Sequence, residues 1–235
     1  MKAFPLAIAD LLVAAAAPAL AQSLESQEIM VTGSRIEQDG YQRDMPTVGL
    51  RRTADFLVQQ VTIRGDSRDP RQRAAEIREM LRKAVQVAAQ RGVELAYGDY
   101  ILTPLTAANI DALALKNDSR PDSQRVDFLV KAPLAKDGGS AAQRRIEDYV
   151  EAVPEVGRAQ MDESGDASLS IVGPDRYRDE IAAKVMEDSR AMAAKMGSGY
   201  AVTVEGLNMP VQWAQASAAD VLLFIPYKLV IVPKP

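Results

Sequence analysis

Cysteine and histidine are both missing from the 235 residues. Without cysteine there is no disulfide, no thiol nucleophile and no thiolate ligand for zinc or an iron–sulfur cluster. Without histidine the Ser-His-Asp triad, the HExxH zinc site and imidazole proton shuttles are excluded. Aromatic residues are few: one Trp, four Phe and seven Tyr. A basic surplus is lacking as well. The 28 Lys and Arg against 32 Asp and Glu leave a net charge of −4, so nucleic acid is not an expected partner. Carboxylate pairs and Ser-Lys arrangements are the hydrolytic chemistries that remain open.

A long apolar run is also absent. The stretch "LLVAAAAPAL", from Leu11, is shorter than the roughly 20 residues a spanning helix needs. With Lys2 ahead of it and Ala19-Leu20-Ala21 behind, residues 1–21 read as a Sec-type signal peptide, Asp10 being an unusual member of its apolar part. The expectation is an exported chain that starts at Gln22, has no transmembrane span and resides in the periplasm or at the outer envelope.

Residues 22–55 read as one short strand, Ile29 to Thr32, and an irregular connection broken by Gly33, Gly40, Pro46 and Gly49. The segment "FLVQQVTIRG", 56–65, alternates as a half-buried strand should, with Leu57, Val61 and Ile63 on one side. The clearest helix follows. Asp69 is placed to cap it, Pro70 suits its first turn and Gly92 its exit, while Ile77, Leu81, Ala84, Val85 and Ala88 share one face. Arg71, Arg78 and Arg82 fall on the solvent side, where Glu79 and Lys83 are spaced to pair.

Downstream, "ELAYGDYILTPL" is expected to be one strand bent at Gly98, and Asn117 to Ser123 a loop. "QRVDFLVKAPL" is the next strand. Ser140 opens a second helix with the stripe Ile146, Tyr149, Val150 and Val153, stopped by Pro154. "ASLSIVGP" reads as a short strand, and 174–199 as a third helix with Tyr177, Ile181, Val185, Met192 and Met196 along one flank, the methionines reading as core packing ahead of a soft-ligand or partner surface. The tail adds a strand at 200–206, a connection through Trp213 and one long strand, "VLLFIPYKLVIVP", in which Pro226 marks an edge or bulge. The order β, β, α, β, β, α, β, α, β, β predicts an α+β fold. Its mixed or antiparallel sheet is covered by three amphipathic helices, from two tandem β-α-β passages and a closing helix and strand pair.

Candidate chemistry is sparse. "MDESGD" gathers Asp162, Glu163 and Asp166, but lacks EF-hand spacing and reads as a solvated turn. Asp175, Asp179 and Glu180 suit the electropositive start of the third helix. The glycines of "KMGSG", 195–199, follow a helix and so suit a C-cap better than a phosphate site. Ser140 and Lys136 are near in sequence, yet an N-cap role accounts for Ser140. Trp213 and Tyr227 are candidates for a groove, with burial as the simpler account. No catalytic, cofactor-binding or metal residue is assigned, and no cofactor is expected.

Several phrases together resemble the SIMPL (DUF541) family of exported bacterial proteins. Its opening I-x-V-x-G strand is matched by Ile29, Val31 and Gly33, and its strand ending near Ser/Thr-x-x-Pro by "YILTPL". "RVDFLVKAPL" and 140–153 are similar to its next strand and short helix. "RDEIAAKVMEDSRAMAAKMGSGY" looks like its long helix with a D-A-R-x-K-A phrase: Asp188, Arg190 and Ala191 fall on it, Ser189 stands for the alanine and Met192 for the lysine. "ADVLLFIPYKLVIV" resembles its terminal strand. The resemblance spans roughly 28–233 and implies an α+β fold at residues 56–235, an envelope location, ring-like homo-oligomers and no established catalytic residues.

"EIMVTGSRI", 28–36, also looks like the segment behind the signal peptide of TonB-dependent receptors. Three functional expectations follow. The first is a non-enzymatic envelope protein acting through protein contacts or self-assembly. The second is an accessory of TonB-dependent uptake, with 28–36 as an arm that adds a strand to an envelope partner. The third is a carboxylate-based envelope hydrolase.

Overall fold

In the computed structural model, residues 28–31, 48–134 and 139–234 are described. The expected signal peptide, residues 32–36 and Lys136 lie outside them. The strands are β1 (Glu28–Val31), β2 (Leu50–Thr53), β3 (Phe56–Gly65), β4 (Glu94–Tyr97), β5 (Thr103–Pro104), β6 (Lys116–Asn117), β7 (Gln124–Pro133), β8 (Ala159–Val172), β9 (Tyr200–Glu205), β10 (Gln212–Gln215), β11 (Asp220–Phe224) and β12 (Lys228–Pro233). The helices are α1 (Pro70–Arg91), α2 (Ser140–Ala152) and α3 (Arg178–Met196). The α+β class holds.

The main sheet runs β1-β8-β3-β7-β4-β5, with β6 also on β7, and every pairing is antiparallel. The two expected β-α-β passages interleave. β3 and β4 lie on either side of β7, and β7 and β8 on either side of β3, so each helix crosses over the other passage's strand. Leu57, Val61 and Ile63 of β3 and Val126, Phe128 and Val130 of β7 are buried in one cluster with Ile77, Leu81 and Ala84 of α1 and Ile146 and Tyr149 of α2. The Tyr149 hydroxyl donates to the Ala84 carbonyl at 3.1 Å and ties the two helices. Burial pushes its pKa up.

Asp69 caps α1 by accepting from the amides of Arg71 and Gln72, and Gly92 closes it in the left-handed conformation. Val85 is only half buried, and Arg73, Glu76 and Met80 join the buried face. Glu79 pairs with Arg82 at 2.5 Å rather than with Lys83.

Several elements differ from expectation. The connection before residue 56 contains β2, which hid because three of its four residues are exposed and two are arginine. "ELAYGDYILTPL" is a hairpin, β4 and β5, reversed at Gly98 with φ 122°; a Cβ there would run into the Ile101 carbonyl. β8 is 14 residues long and contains all of "MDESGD", which is therefore strand, not turn. Trp213 sits in β10. The long final strand is two, β11 and β12, in different sheets either side of Pro226: β10-β11-β2 form one, β9 and β12 the other. Gly139, not Ser140, is the N-cap of α2. The third helix also opens differently: Pro174–Tyr177 form a 3-10 turn ahead of α3. α3 packs on β9 rather than over the main sheet.

β1 is hydrogen-bonded along both edges. One pairs with β8 from Glu28↔Val172 to Val31↔Leu169. On the other, the Met30 amide donates to Tyr100 and the Leu102 amide to Glu28, at 3.2 and 3.0 Å. The sheet thus curls until the 100–102 segment meets β1, enclosing Val58, Ala96, Leu102 and Leu129 on the face away from the helices. Residues 28–31 begin this chain's own sheet and leave no free edge for strand addition.

Candidate functional site

At the far end of β3 from this closure, three chain segments converge. Register places Gly65 opposite both Gln124 of β7 and Ala159 of β8, so the chain leaving β3, the loop entering β7 and the connection entering β8 meet there. They enclose a polar cavity of about 600 Å³ lined by Arg64, Asp66, Asp118, Arg120, Arg158 and Asp162, among others.

Arg64 stands opposite Arg125, a like-charge pair, and Asp118 bridges them. The Asp118 carboxylate takes Arg64 Nε at 2.5 Å and Ser123 Oγ at 3.3 Å, with Arg125 at 3.8 Å. The Ser119 amide, burial opposing, and the Arg64 guanidinium hold its pKa below the ordinary value. Arg158 grips Asp66 with two bonds, 2.7 and 3.1 Å, which lower that carboxyl too. Below them Glu76 is 9% exposed. It accepts from Ser67 Oγ at 2.6 Å, Gln72 Nε2 at 2.8 Å and the Arg158 amide at 3.3 Å. The Ser67 bond is the main reason its pKa is lowered. Gly157, at φ 58°, lets the backbone pass against this carboxylate, where a Cβ would collide. The lowered carboxylates of Asp66, Asp118 and Glu76 are acceptors at neutral pH, not proton donors.

A second cluster lies in the curled end of the sheet. Lys131, with its side chain 4% exposed, pairs with Glu28, reaches Glu94 at 3.0 Å and sits 4.1 Å from the Phe56 ring centroid. Ser170 Oγ donates to the other Glu28 oxygen at 2.7 Å. The sequence offered no signal for this: the five residues are 142 positions apart at the extremes, and only the pairing of β1 with β8, β8 with β3, β3 with β7 and β7 with β4 brings them together.

The candidates named from sequence scatter. Strand alternation sends Asp162 to the cleft and Glu163 to the helix side, where burial and Glu147 raise its pKa. Asp166 lies in the irregular part of β8 between Ser164 and Ser168. There Gln59 donates to the Ser164 and Gly165 carbonyls at 2.9 and 3.1 Å. Asp175 caps the Val211 amide at 3.1 Å, and Glu180 reaches Arg52 at 3.8 Å. Gly197 follows α3 and its amide bonds the Ala194 carbonyl, as a C-terminal cap does. Trp213 is buried, and Tyr227 is half buried with its hydroxyl 3.3 Å from Asp188. Met192 and Met196, expected in the core, are 38% and 54% exposed.

No protein-family model matches the chain, and a search of curated proteins found no match. Among solved structures, a crystal structure of a hydrolase from Listeria innocua aligns at 10% identity and TM-score 0.17, over 79% of this chain and 94% of that one. A likeness at that score carries no argument. No helix among the described residues is long and apolar enough to cross a membrane.

Proposed function

We propose that the chain is a non-enzymatic, exported envelope protein of the SIMPL type that works through protein contacts. The observation that supports this reading is the incompletely covered surface formed by α3 and the β9–β12 ribbon. Along α3, Ile181, Val185 and Ser189 are fully buried, but the stripe runs on into exposed Met192 and Met196. No residue of the ribbon is fully buried, although it carries Val202, Val204, Leu229, Val230 and Ile231. Apolar surface left open on a helix and a sheet edge is what a contact-forming protein presents. The cleft supports the reading from the other side, since Arg64, Arg158, Asp66 and Asp118 are occupied with one another.

The test is photo-cross-linking in intact cells of a native host, with benzoylphenylalanine at Met196 and, as control, at exposed Asp148 on α2. Protein adducts formed at Met196 and not at Asp148 are expected. Equal or absent labelling at the two positions would overturn the reading.

A further inference from the structure

The ribbon has a free edge of defined chemistry. β9 pairs with β12 over six residues, from Tyr200↔Pro233 to Glu205↔Lys228, and among the described residues its other edge pairs with nothing. β12 ends on Pro233, a residue that blunts an edge, whereas β9 contains no proline. α3 lies on β9 rather than β12, so the exposed methionines belong to the helix that covers the free strand.

We infer that β9 pairs with β9 of a second copy, antiparallel about a two-fold axis normal to the ribbon and centred on Val202. This rests on the contact reading above and names its partner. A two-fold of this kind keeps the same face of both ribbons on one side, so each residue meets one of its own face. Centred on Val202, it sets Val202 against Val202, Tyr200 against Val204 and Ala201 against Thr203, with no like charges opposed. It also sets Glu205 opposite Gly199 of the second copy. Lys234 is the next-strand neighbour of Gly199, its amide bonded to the Gly199 carbonyl at 2.7 Å. Glycine has no side chain, and strands two apart are separated by about 10 Å, so Glu205 and Lys234 reach each other over it. The symmetry repeats the ion pair. Centring on Thr203 instead would put Glu205 against Ala201 and beside Val232 of the second copy, leaving it only Lys228 of its own copy, at 3.6 Å. The resulting four-stranded sheet carries both α3 helices on one face, where Met192, Met196 and Tyr200 gain cover.

The test uses the chain from Gln22 onward, which contains every described residue. It has no cysteine of its own. Sedimentation should show a monomer–dimer equilibrium, and Val202→Cys should form an intermolecular disulfide under mild oxidation. Thr203→Cys should not, because its copies then lie on a diagonal about 7–8 Å long, beyond disulfide reach. If Val202→Cys disturbs the fold, the charge swap decides. Glu205→Lys, on an exposed side chain, should weaken the dimer at least fivefold, and adding Lys234→Glu should restore it. A dimer that cross-links at Thr203 or ignores the charge swap would overturn this pairing while leaving the contact reading standing. A monomer at all concentrations would overturn it too, and the Met196 cross-linking then judges the contact reading separately.

Discussion

Lys131 is a cation on a buried strand, and its partners explain how β1 is held. Glu28 neutralises it, Ser170 satisfies the second Glu28 oxygen, Phe56 offers its ring face and Glu94 closes the site from the solvent side. Removing Glu28 leaves buried Lys131 with only the solvent-side carboxylate of Glu94 at 3.0 Å, and breaking the buried half of the pair from one side costs more than that half contributes. Glu28→Ala should therefore lower unfolding stability by about 3 kcal/mol in urea titration. The double variant Glu28→Gln with Lys131→Met should recover most of that loss, since no charge is then stranded. A loss in the double variant as large as in Glu28→Ala would mean that packing, not charge, docks β1. Glu76 follows the same logic beneath the cleft, with three donors on one carboxylate.

Among the elements, the β4–β5 hairpin decides whether the sheet closes. Its reversal needs φ 122° at Gly98 and the Ile101 carbonyl against the glycine, and the next residues carry the amide and carbonyl that bind β1. Gly98→Ala should cost about 2 kcal/mol or more from the unfavourable φ and the clash. Hydrogen exchange should show the consequence locally, with faster exchange at Met30 and Leu102 and unchanged protection in α1. Uniform loss of protection would place Gly98 in the global core instead. β8 shows a complementary device. Its irregularity opposite Gln59 adds residues to one strand, and the Gln59 amide satisfies the carbonyls this leaves.

For the molecule as a whole, the shifted carboxylates set the pH response. Asp66, Asp118, Asp220 and Glu76 all have folded pKa values below their ordinary 3.8 or 4.5. The unfolded chain therefore takes up protons first as pH falls, so their contribution is present above the ordinary values and is lost below them. Glu163 acts oppositely: its raised pKa favours the folded state at low pH, and that contribution disappears as pH rises through it. The melting temperature should stay nearly level from pH 7 to about 5 and fall below about 4. Glu163→Gln should raise it at pH 7 and have little effect at pH 3. A melting temperature that rises on acidification to pH 3 would contradict this assignment.

The sequence by itself determined those parts whose signal is local. Asp69, Pro70 and Gly92 bound α1 because caps act over a few residues, and the alternation of β3 and β7 is written in their own side chains. The α+β class follows from those periods. What only tertiary structure decided is pairing. β2 escapes notice because Arg51 and Arg52 are exposed on both of its faces, β8 carries Asp162, Glu163 and Asp166 where both of its faces are exposed, and "VLLFIPYKLVIVP" reads as continuous although Pro226 divides it between two sheets. The same holds for both charged clusters. Arg64 meets Asp118, and Glu28 meets Lys131, only because β3 lies between β7 and β8 and the sheet curls back onto β1. The exposure of Met192 and Met196 has the same origin: a helical stripe has a period, but nothing in that period says where the surface covering it stops.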